Sequence, residues 1–244
     1  METHPVSNGM DITLVVCAYN EESDIAETID IAHKVSRGRF REIIVVDNAS
    51  TDRTAAIAQE HGARVVHEKT KGLTYARLAG LNATESEYIA YIDADTHLSD
   101  TWFDAAERIF AENPHIVALS GPRKYFGISG WRLAALNGFW LIAPLVYRIV
   151  GYMILGGNFI AKKSAIEDIG GFDTSIKFYG EDTDIARRLS EVGKVLFRSD
   201  FFVYASARRF EKEGVFKANI RYAVNYLWPV LFGKPYTVKY QDVR

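Results

Sequence analysis

The feature that most constrains this chain is the regular alternation of short β-branched runs with segments of helical periodicity in its first half. The predicted strands are 11–19, 42–46, 63–67, 88–92 and 116–120, and the predicted helices between them are 21–35, 52–61, 72–83 and 101–111. Strands that alternate with helices favour a mainly parallel sheet with helices on both faces. The sequence therefore predicts an α/β, Rossmann-like fold, whose ligands bind beyond the carboxyl ends of the strands.

The rhythm changes after Gly121, although no linker or internal repeat separates the second half from the first. A long apolar stretch at 127–155 precedes a predicted strand at 158–162, a helix at 185–192, a strand at 194–197 and an amphipathic stretch at 215–232. We therefore expect a flexible N-terminus at 1–10, a single domain at 11–210 with halves at 11–120 and 121–210, and a basic amphipathic helical tail at 211–244.

Composition excludes several classes of protein. Hydrophobic residues make up 48% of the 244, which is too many for a disordered chain. The 29 basic and 31 acidic residues nearly balance, so we expect no nucleic-acid partner. The lone Cys17 excludes an intrachain disulfide and is interpreted as a buried, inert thiol. Because the first ten residues lack an apolar signal segment, we expect a cytoplasmic location.

Polar side chains gather where the predicted strands end. Asp47 and the polar run after it follow the second strand, and Asp93 and Asp95 follow the fourth. One interpretation is that such residues cap the helices that follow, which suits Ser50 and its neighbours. For two carboxylates one residue apart, a bound divalent cation is the stronger explanation, because it relieves their repulsion. Hard oxygen ligands suit Mg²⁺ or Mn²⁺.

These segments resemble the nucleotide-sugar half of family 2 glycosyltransferases, which have the GT-A fold. The matching segments read VVCAYNEE at 15–22, VVDNASTD at 45–52 and DAD at 93–95. Downstream, GGN at 156–158, GGFD at 170–173 and GEDTD at 180–184 resemble the acceptor half of the same family. The resemblance covers roughly 11–210, with 11–120 as the nucleotide-sugar half and 121–210 as the acceptor half.

The resemblance implies a role for each matching residue. It places Ala18, Tyr19 and Glu21 beside the nucleoside, Asp47 on the base, Arg77 near the nucleotide, Asp93 at the ribose and diphosphate, and Asp95 on the metal with Asp93 beside it. In the acceptor half it makes Asp182 the general base, with Asn158 and Glu181 beside the acceptor.

The chemistry of the implied reaction requires these residue types. A divalent cation stabilises the charge of a departing nucleoside diphosphate, and a carboxylate takes the proton of an attacking hydroxyl. A single displacement of this kind inverts the anomeric centre. The alternative for Asp182 is that it begins the helix at 185–192, where the helix dipole favours acidic residues. Both roles are compatible.

Two departures from the family pattern narrow the prediction. Many GT-A enzymes use a late histidine as a further metal ligand, but the last histidine here is His115. The third ligand and the metal preference are therefore open. Processive synthases carry a late Gln-X-X-Arg-Trp segment, which neither Gln59 nor Gln241 provides, so non-processive transfer is expected.

Two regions bear on the acceptor and on membranes. The segment 138–155 is almost wholly apolar, but Pro144 and Arg148 in its middle argue against a spanning helix, which leaves a core helix or a helix in the membrane interface. Residues 201–244 carry eight basic and three acidic residues, which favours anionic lipid. Arg208 and Arg209 form a candidate phosphate site, for the donor or for a lipid-linked acceptor.

The sequence thus predicts an inverting, metal-dependent glycosyltransferase of the hexosyl type at the cytoplasmic membrane face. Its expected partners are a nucleoside diphosphate sugar and an acceptor that is a lipid-linked sugar, a saccharide or a polyprenyl phosphate, with Mn²⁺ or Mg²⁺ as cofactor. The alternatives are a sugar nucleotidyltransferase, which would carry a glycine-rich loop after the first strand, and a non-catalytic partner protein with a degenerate site.

Overall fold

The computed structural model of the chain describes residues 9–176, 180–208, 210, 224, 225 and 228. Seven strands form one sheet in the order β3-β2-β1-β4-β8-β6-β9. They are β1 (Ile12–Ala18), β2 (Phe40–Asp47), β3 (Arg64–His67), β4 (Tyr88–Asp93), β6 (Ile116–Ser120), β8 (Asn158–Lys162) and β9 (Lys194–Phe197). All neighbouring pairs are parallel except those of β8, which runs antiparallel to β4 and β6. The predicted α/β fold with a mainly parallel sheet is confirmed.

Eight helices accompany these strands in the described part of the chain. They are α1 (Ile25–Ser36), α2 (Thr54–Glu60), α3 (Leu73–Ala83), α4 (Trp102–Glu112), α5 (Gly130–Phe139), α6 (Ala143–Val150), α7 (Lys163–Asp168) and α8 (Glu181–Val192). Successive residues of β1 point to opposite faces, so Leu14 and Val16 join a core with Trp102 of α4, while Val15 joins a second core with Leu189 of α8. The sheet is therefore covered on both faces.

A second sheet of three short strands, which the sequence did not predict, lies beside the first. Its order is β5 (Thr96–Leu98), β10 (Val203–Ser206), β7 (Arg123–Phe126). Strand β10 pairs antiparallel with β5 and parallel with β7. Gly121, just before β7, packs so closely on the backbone carbonyl of Phe201 that a Cβ atom would overlap it. The small sheet thus brings segments about a hundred residues apart to one edge of the domain.

The apolar stretch 127–155 does not form one helix. It contains α5 and α6, separated by a turn in which the amide of Trp140 donates to the carbonyl of Asn137 at 3.1 Å. The inner face of α6 packs on the domain, where Ala143 is buried and the Tyr147 hydroxyl donates to the carbonyl of Val195 at 3.1 Å. On the outer face, Ile149 is 78% exposed.

Other boundaries move by a few residues. Helix α8 begins at Glu181 rather than at residue 185, and Gly180, with a left-handed φ of 101°, is its N-cap residue. The predicted flexible N-terminus, apart from residues 9 and 10, and most of the predicted tail at 211–244 lie outside the described residues.

Candidate active site at the carboxyl ends of the strands

The ends of β1, β2 and β4 lie side by side, as the strand order requires. In register, Ala18 of β1 pairs with Asp47 of β2, and Cys17 pairs with Asp93 of β4. Burial raises the pKa of the Cys17 thiol to about 12, so this side chain is uncharged at neutral pH. The predicted nucleotide residues Ala18, Asp47 and Asp93 are therefore neighbours at one edge of the sheet.

Asp47 is held with its carboxylate fixed at the end of β2. Its Oδ1 accepts the amide of Ser50 at 3.2 Å, and its Oδ2 lies 3.0 Å from Nδ1 of His67 at the end of β3. The residue is only 6% exposed. A buried carboxylate with directed lone pairs suits recognition of the N–H edge of a base. The capping interpretation holds only for Asp52, whose Oδ1 accepts the amide of Thr54 at 2.9 Å where α2 begins. The N-cap residue of α2 is Arg53, which makes no side-chain cap bond, and Oγ of Ser50 accepts the amide of Asn20 instead.

A basic loop that the sequence analysis missed lies over this edge. The ammonium of Lys71 is 3.9 Å from the centre of the Tyr19 ring and bonds its hydroxyl. Asn48 positions the loop, because its amide donates to the carbonyl of Thr70 at 2.7 Å and its Oδ1 accepts the amide of Gly72 at 2.8 Å. The φ of 147° at Gly72 favours glycine, and the Gly that follows Lys71 was the only available signal.

The two carboxylates after β4 each face an arginine. Asp93 Oδ2 accepts Nη2 of Arg123 at 2.6 Å, and Asp95 Oδ2 lies 3.8 Å from Nη2 of Arg208. The turn between them is fixed because the Thr28 hydroxyl donates to the carbonyl of Ala94 at 2.7 Å. Burial, followed by the neighbouring charge of Asp93, raises the pKa of Asp95. Sequence reasoning missed Arg123, since only the small sheet brings it here.

The donor atoms at this turn are hard carboxylate oxygens, which suit Mg²⁺ or Mn²⁺. Among the described residues no group of three or more His, Cys, Asp or Glu side chains is arranged to hold a metal. Magnesium commonly binds through one or two carboxylates together with the phosphates of a substrate. Asp93 and Asp95 therefore fit a cation that the protein and a diphosphate hold jointly.

A second cluster of charges involves the segment 180–184, one of those that resemble the acceptor half. Arg77 of α3 is 2% exposed and donates to Oδ1 of Asp182 at 2.9 Å, with Oε1 of Glu181 at 3.7 Å. Burial on its own lowers the pKa of Arg77, but the two carboxylates raise it above the ordinary value. Burial and the neighbouring Asp182 raise the pKa of Glu181 to about 8. The second oxygen of Asp182 accepts the amide of Gly156 at 2.8 Å.

The pair Gly156-Gly157 joins the two clusters. A Cβ atom on Gly156 would overlap Arg77 and Asp182, and one on Gly157 would overlap Asp93 and Arg123. This close approach explains why side chains are absent here, just before β8, which lies between β4 and β6 in the sheet. The implied general base and the donor-side carboxylate therefore flank a single backbone turn.

Two residues lie differently from the prediction. Arg77 was expected near the nucleotide, but its guanidinium is buried against Asp182 and Glu181, so it holds the two carboxylates at the start of α8. Asn158 was expected beside the acceptor, but it is fully buried. Its amide donates to the carbonyls of Gly121 and Phe201 at 3.2 and 3.1 Å, and its Oδ1 accepts the indole N–H of Trp102 at 3.0 Å, so it ties β8 to α4 and to the segments that lead into β7 and β10.

The remaining predicted residues fall as follows. Glu21, at 7% exposure, accepts Nη2 of Arg208 at 3.1 Å, so the nucleoside side and the candidate phosphate site are in contact. Tyr19 lies under Lys71, and Glu181 lies beside Asp182. Arg209 lies outside the described residues.

Comparison with known proteins agrees with this geometry. Residues 13–170 match the sequence profile of Glycosyl transferase family 2. A pre-mycofactocin glycosyltransferase of Mycobacterium tuberculosis is 27% identical over 195 residues, which cover 75% of this chain and 40% of that protein. The chain thus spans about two fifths of the length of that relative.

Solved structures show the same architecture. Glucosyl-3-phosphoglycerate synthase from M. tuberculosis, solved with Mn²⁺, UDP-glucose and phosphoglyceric acid, superposes with a TM-score of 0.65 at 22% identity, over 93% of this chain and 81% of that one. The mannosyltransferase PcManGT from Pyrobaculum calidifontis, solved with GDP-mannose and Mn²⁺, gives 0.65 at 20% identity over 92% and 65%. The family match and the shared architecture show that the chain belongs to glycosyl transferase family 2 and has the GT-A fold.

Proposed function

We propose that the protein transfers a sugar from a nucleoside diphosphate sugar to an acceptor, with inversion at the anomeric carbon. One observation carries the proposal: the turn Gly156-Gly157 has Asp93 on one side and Asp182 on the other. A donor bound over the ends of β1, β2 and β4 would place its anomeric carbon between the leaving diphosphate and a carboxylate. Attack from the side opposite the leaving group inverts that carbon.

The residues divide the work by position. Asp47 would accept the N–H groups of the base, and Asp93 and Asp95 would hold the diphosphate through a divalent cation, which supplies Lewis-acid stabilisation of the leaving group when bound. Asp182 would take the proton of an acceptor hydroxyl. Arg77 orients Asp182 by the bond at 2.9 Å, and the amide of Gly156 fixes its other oxygen. A carboxylate held at both oxygens keeps the geometry that proton transfer requires.

Whether the reaction needs a general base depends on the nature of the acceptor. A sugar hydroxyl must lose its proton, so Asp182 would be indispensable. A polyprenyl phosphate oxygen is already ionised, so the reaction would tolerate loss of this carboxylate. We propose a lipid-linked acceptor of one of these two kinds, and the effect of replacing Asp182 distinguishes them.

A membrane contact is supported by the outer face of α6 and the turn before it. Leu141, Ile149 and Leu145 are 82%, 78% and 59% exposed. By length and composition alone, Gly130–Val150 would suffice to cross a bilayer, with a mean hydropathy of 1.6, and little of it is buried. Crossing would separate β7 from β8, yet both belong to the same domain. We therefore propose that this face lies in the membrane interface, on the cytoplasmic side.

The reaction is tested by nucleotide release from UDP-, GDP- and dTDP-sugars with Mn²⁺ or Mg²⁺, with and without a lipid extract. Asp95→Asn should abolish metal-dependent release, whereas Asp100→Asn, a change at an exposed residue beyond β5, should leave it unaltered. Release that persists in Asp182→Asn with lipid extract would identify a lipid phosphate acceptor. A wild type that binds no donor sugar would overturn the proposal in favour of a non-catalytic partner.

The membrane contact is tested by co-sedimentation with vesicles of phosphatidylglycerol and phosphatidylcholine at low salt. The variant Leu145→Glu, Ile149→Glu should lose vesicle binding, because two charges on the apolar face oppose insertion. Val192→Glu, a change at another exposed apolar side chain, is the matched control. Equal vesicle binding by all three proteins would exclude α6 as the contact.

A further inference from the structure

Arg208 lies late in the sequence of the domain, but its positive charge lies at the proposed donor side. It follows β10, and its Nη1 lies 3.0 Å from Oδ2 of Asp24, while its Nη2 lies 3.1 Å from Oε2 of Glu21. The same Nη2 is 3.8 Å from Oδ2 of Asp95. One guanidinium therefore touches three carboxylates, which come from the ends of two different strands.

The two closer contacts fix where this charge lies. Glu21 and Asp24 anchor Arg208 at hydrogen-bond distance, so the guanidinium keeps its place beside Asp95 whether or not Asp95 has another partner. The guanidinium thus offsets part of the negative charge of Glu21, Asp24 and Asp95. A divalent cation on Asp95 would therefore meet a less negative site than it would without Arg208.

We infer that Arg208 makes metal binding at Asp95 depend on the nucleotide. Without a nucleotide, Arg208 would weaken the attraction of the carboxylates for a cation on Asp95. With a nucleoside diphosphate present, its phosphate charge would attract both the guanidinium and the cation, which would offset that loss. This inference rests on the proposed function, and it assigns to Arg208 a role in coupling two ligands rather than in holding the acceptor.

The coupling is a reciprocal quantity, so it can be measured from either ligand. Removing the charge in Arg208→Gln should strengthen binding of Mn²⁺ alone and weaken binding of UDP or GDP without metal. The factor by which the nucleotide strengthens Mn²⁺ binding should fall accordingly. Because Arg208 is 40% exposed, solvent screening limits the expected change in Mn²⁺ affinity to about threefold to tenfold.

The experiment titrates Mn²⁺ by electron paramagnetic resonance and calorimetry, alone and with UDP or GDP. The proteins are the wild type, Arg208→Gln, Arg208→Lys and the control Arg198→Gln, whose arginine has similar exposure and pairs with Asp200 away from the site. Arg208→Lys keeps the charge and should retain most of the coupling, which separates loss of charge from local misfolding. Arg198→Gln should match the wild type.

Two results would overturn the inference. If Arg208→Gln binds Mn²⁺ alone no more tightly than the wild type while the nucleotide enhancement is undiminished, Arg208 has no coupling role and the proposed function stands. If the wild type binds no Mn²⁺ even with nucleotide, the metal part of the proposed function fails and the inference fails with it.

Discussion

Replacement of Arg77 by methionine is the sharpest test of how the acceptor-side carboxylates are held. The guanidinium is 2% exposed and faces Asp182 at 2.9 Å and Glu181 at 3.7 Å. Methionine preserves most of the hydrocarbon stem but removes the charge, so two carboxylates lose their buried partner. Breaking a buried pair costs about 3–5 kcal/mol, and partial exposure of Asp182 reduces this to about 2–4 kcal/mol.

For a chain of this length, such a loss corresponds to a fall in melting temperature of about 5–15 °C. Calorimetry would measure it against Arg198→Met, which breaks an exposed pair and should cost less than about 1 kcal/mol. The double variant Arg77→Met, Asp182→Asn should recover part of the loss, because it removes the carboxylate left without a partner. A cost for Arg77→Met equal to that of Arg198→Met, or strict additivity in the double variant, would refute the reasoning.

Three further outcomes follow from the same geometry. Gly156→Ala should lower the rate of transfer at least tenfold with donor affinity retained, because the added Cβ atom displaces Asp182. The control is Gly138→Ala, whose added Cβ atom has no other atom within 4 Å. An unaltered rate in Gly156→Ala would contradict the argument. In the folded protein the pKa of Glu181 is about 8, above the ordinary value of 4.5 that it has in the unfolded chain. Between these two pH values the folded state binds one proton more than the unfolded state, so the free energy of unfolding falls as the pH rises from 4.5 to 8. Chemical denaturation should therefore show Glu181→Gln gaining about 1–3 kcal/mol over the wild type between pH 5 and pH 9, and a constant difference would be contrary evidence. Asp47→Asn should weaken UDP or GDP binding about tenfold in calorimetry, and unchanged affinity would remove Asp47 from base recognition.

The donor side was largely predictable because its signals are local. Each strand of the first half is a continuous apolar run, and Asp47, Asp93 and Asp95 follow those runs directly in the sequence. Once the strands are parallel and adjacent, the residues that end them must converge. No knowledge of distant contacts is needed for that step.

The partners of these residues were not predictable in the same way. Arg123 and Arg208 reach the site only because β10 pairs with both β5 and β7, and strands of three or four residues leave no periodicity to detect. Arg77 was correctly placed on a helix, but which carboxylate a buried arginine faces depends on α8 packing against the sheet. Asn158 carried a motif signal, but its buried side chain bonds α4 and the segments that lead into β7 and β10.

The small sheet has a consequence for how the protein becomes active during synthesis. A nascent chain that ends near residue 195 already contains the segments that resemble the family motifs, and β1 to β4 can pair. It lacks β10 and Arg208, however. Strands β5 and β7 therefore have no strand between them, and Arg123 has not reached its final place beside the acidic turn. Competence to bind a donor should therefore arise only after about residue 208 has left the ribosome, which makes the pairing of β10 the step that completes the site.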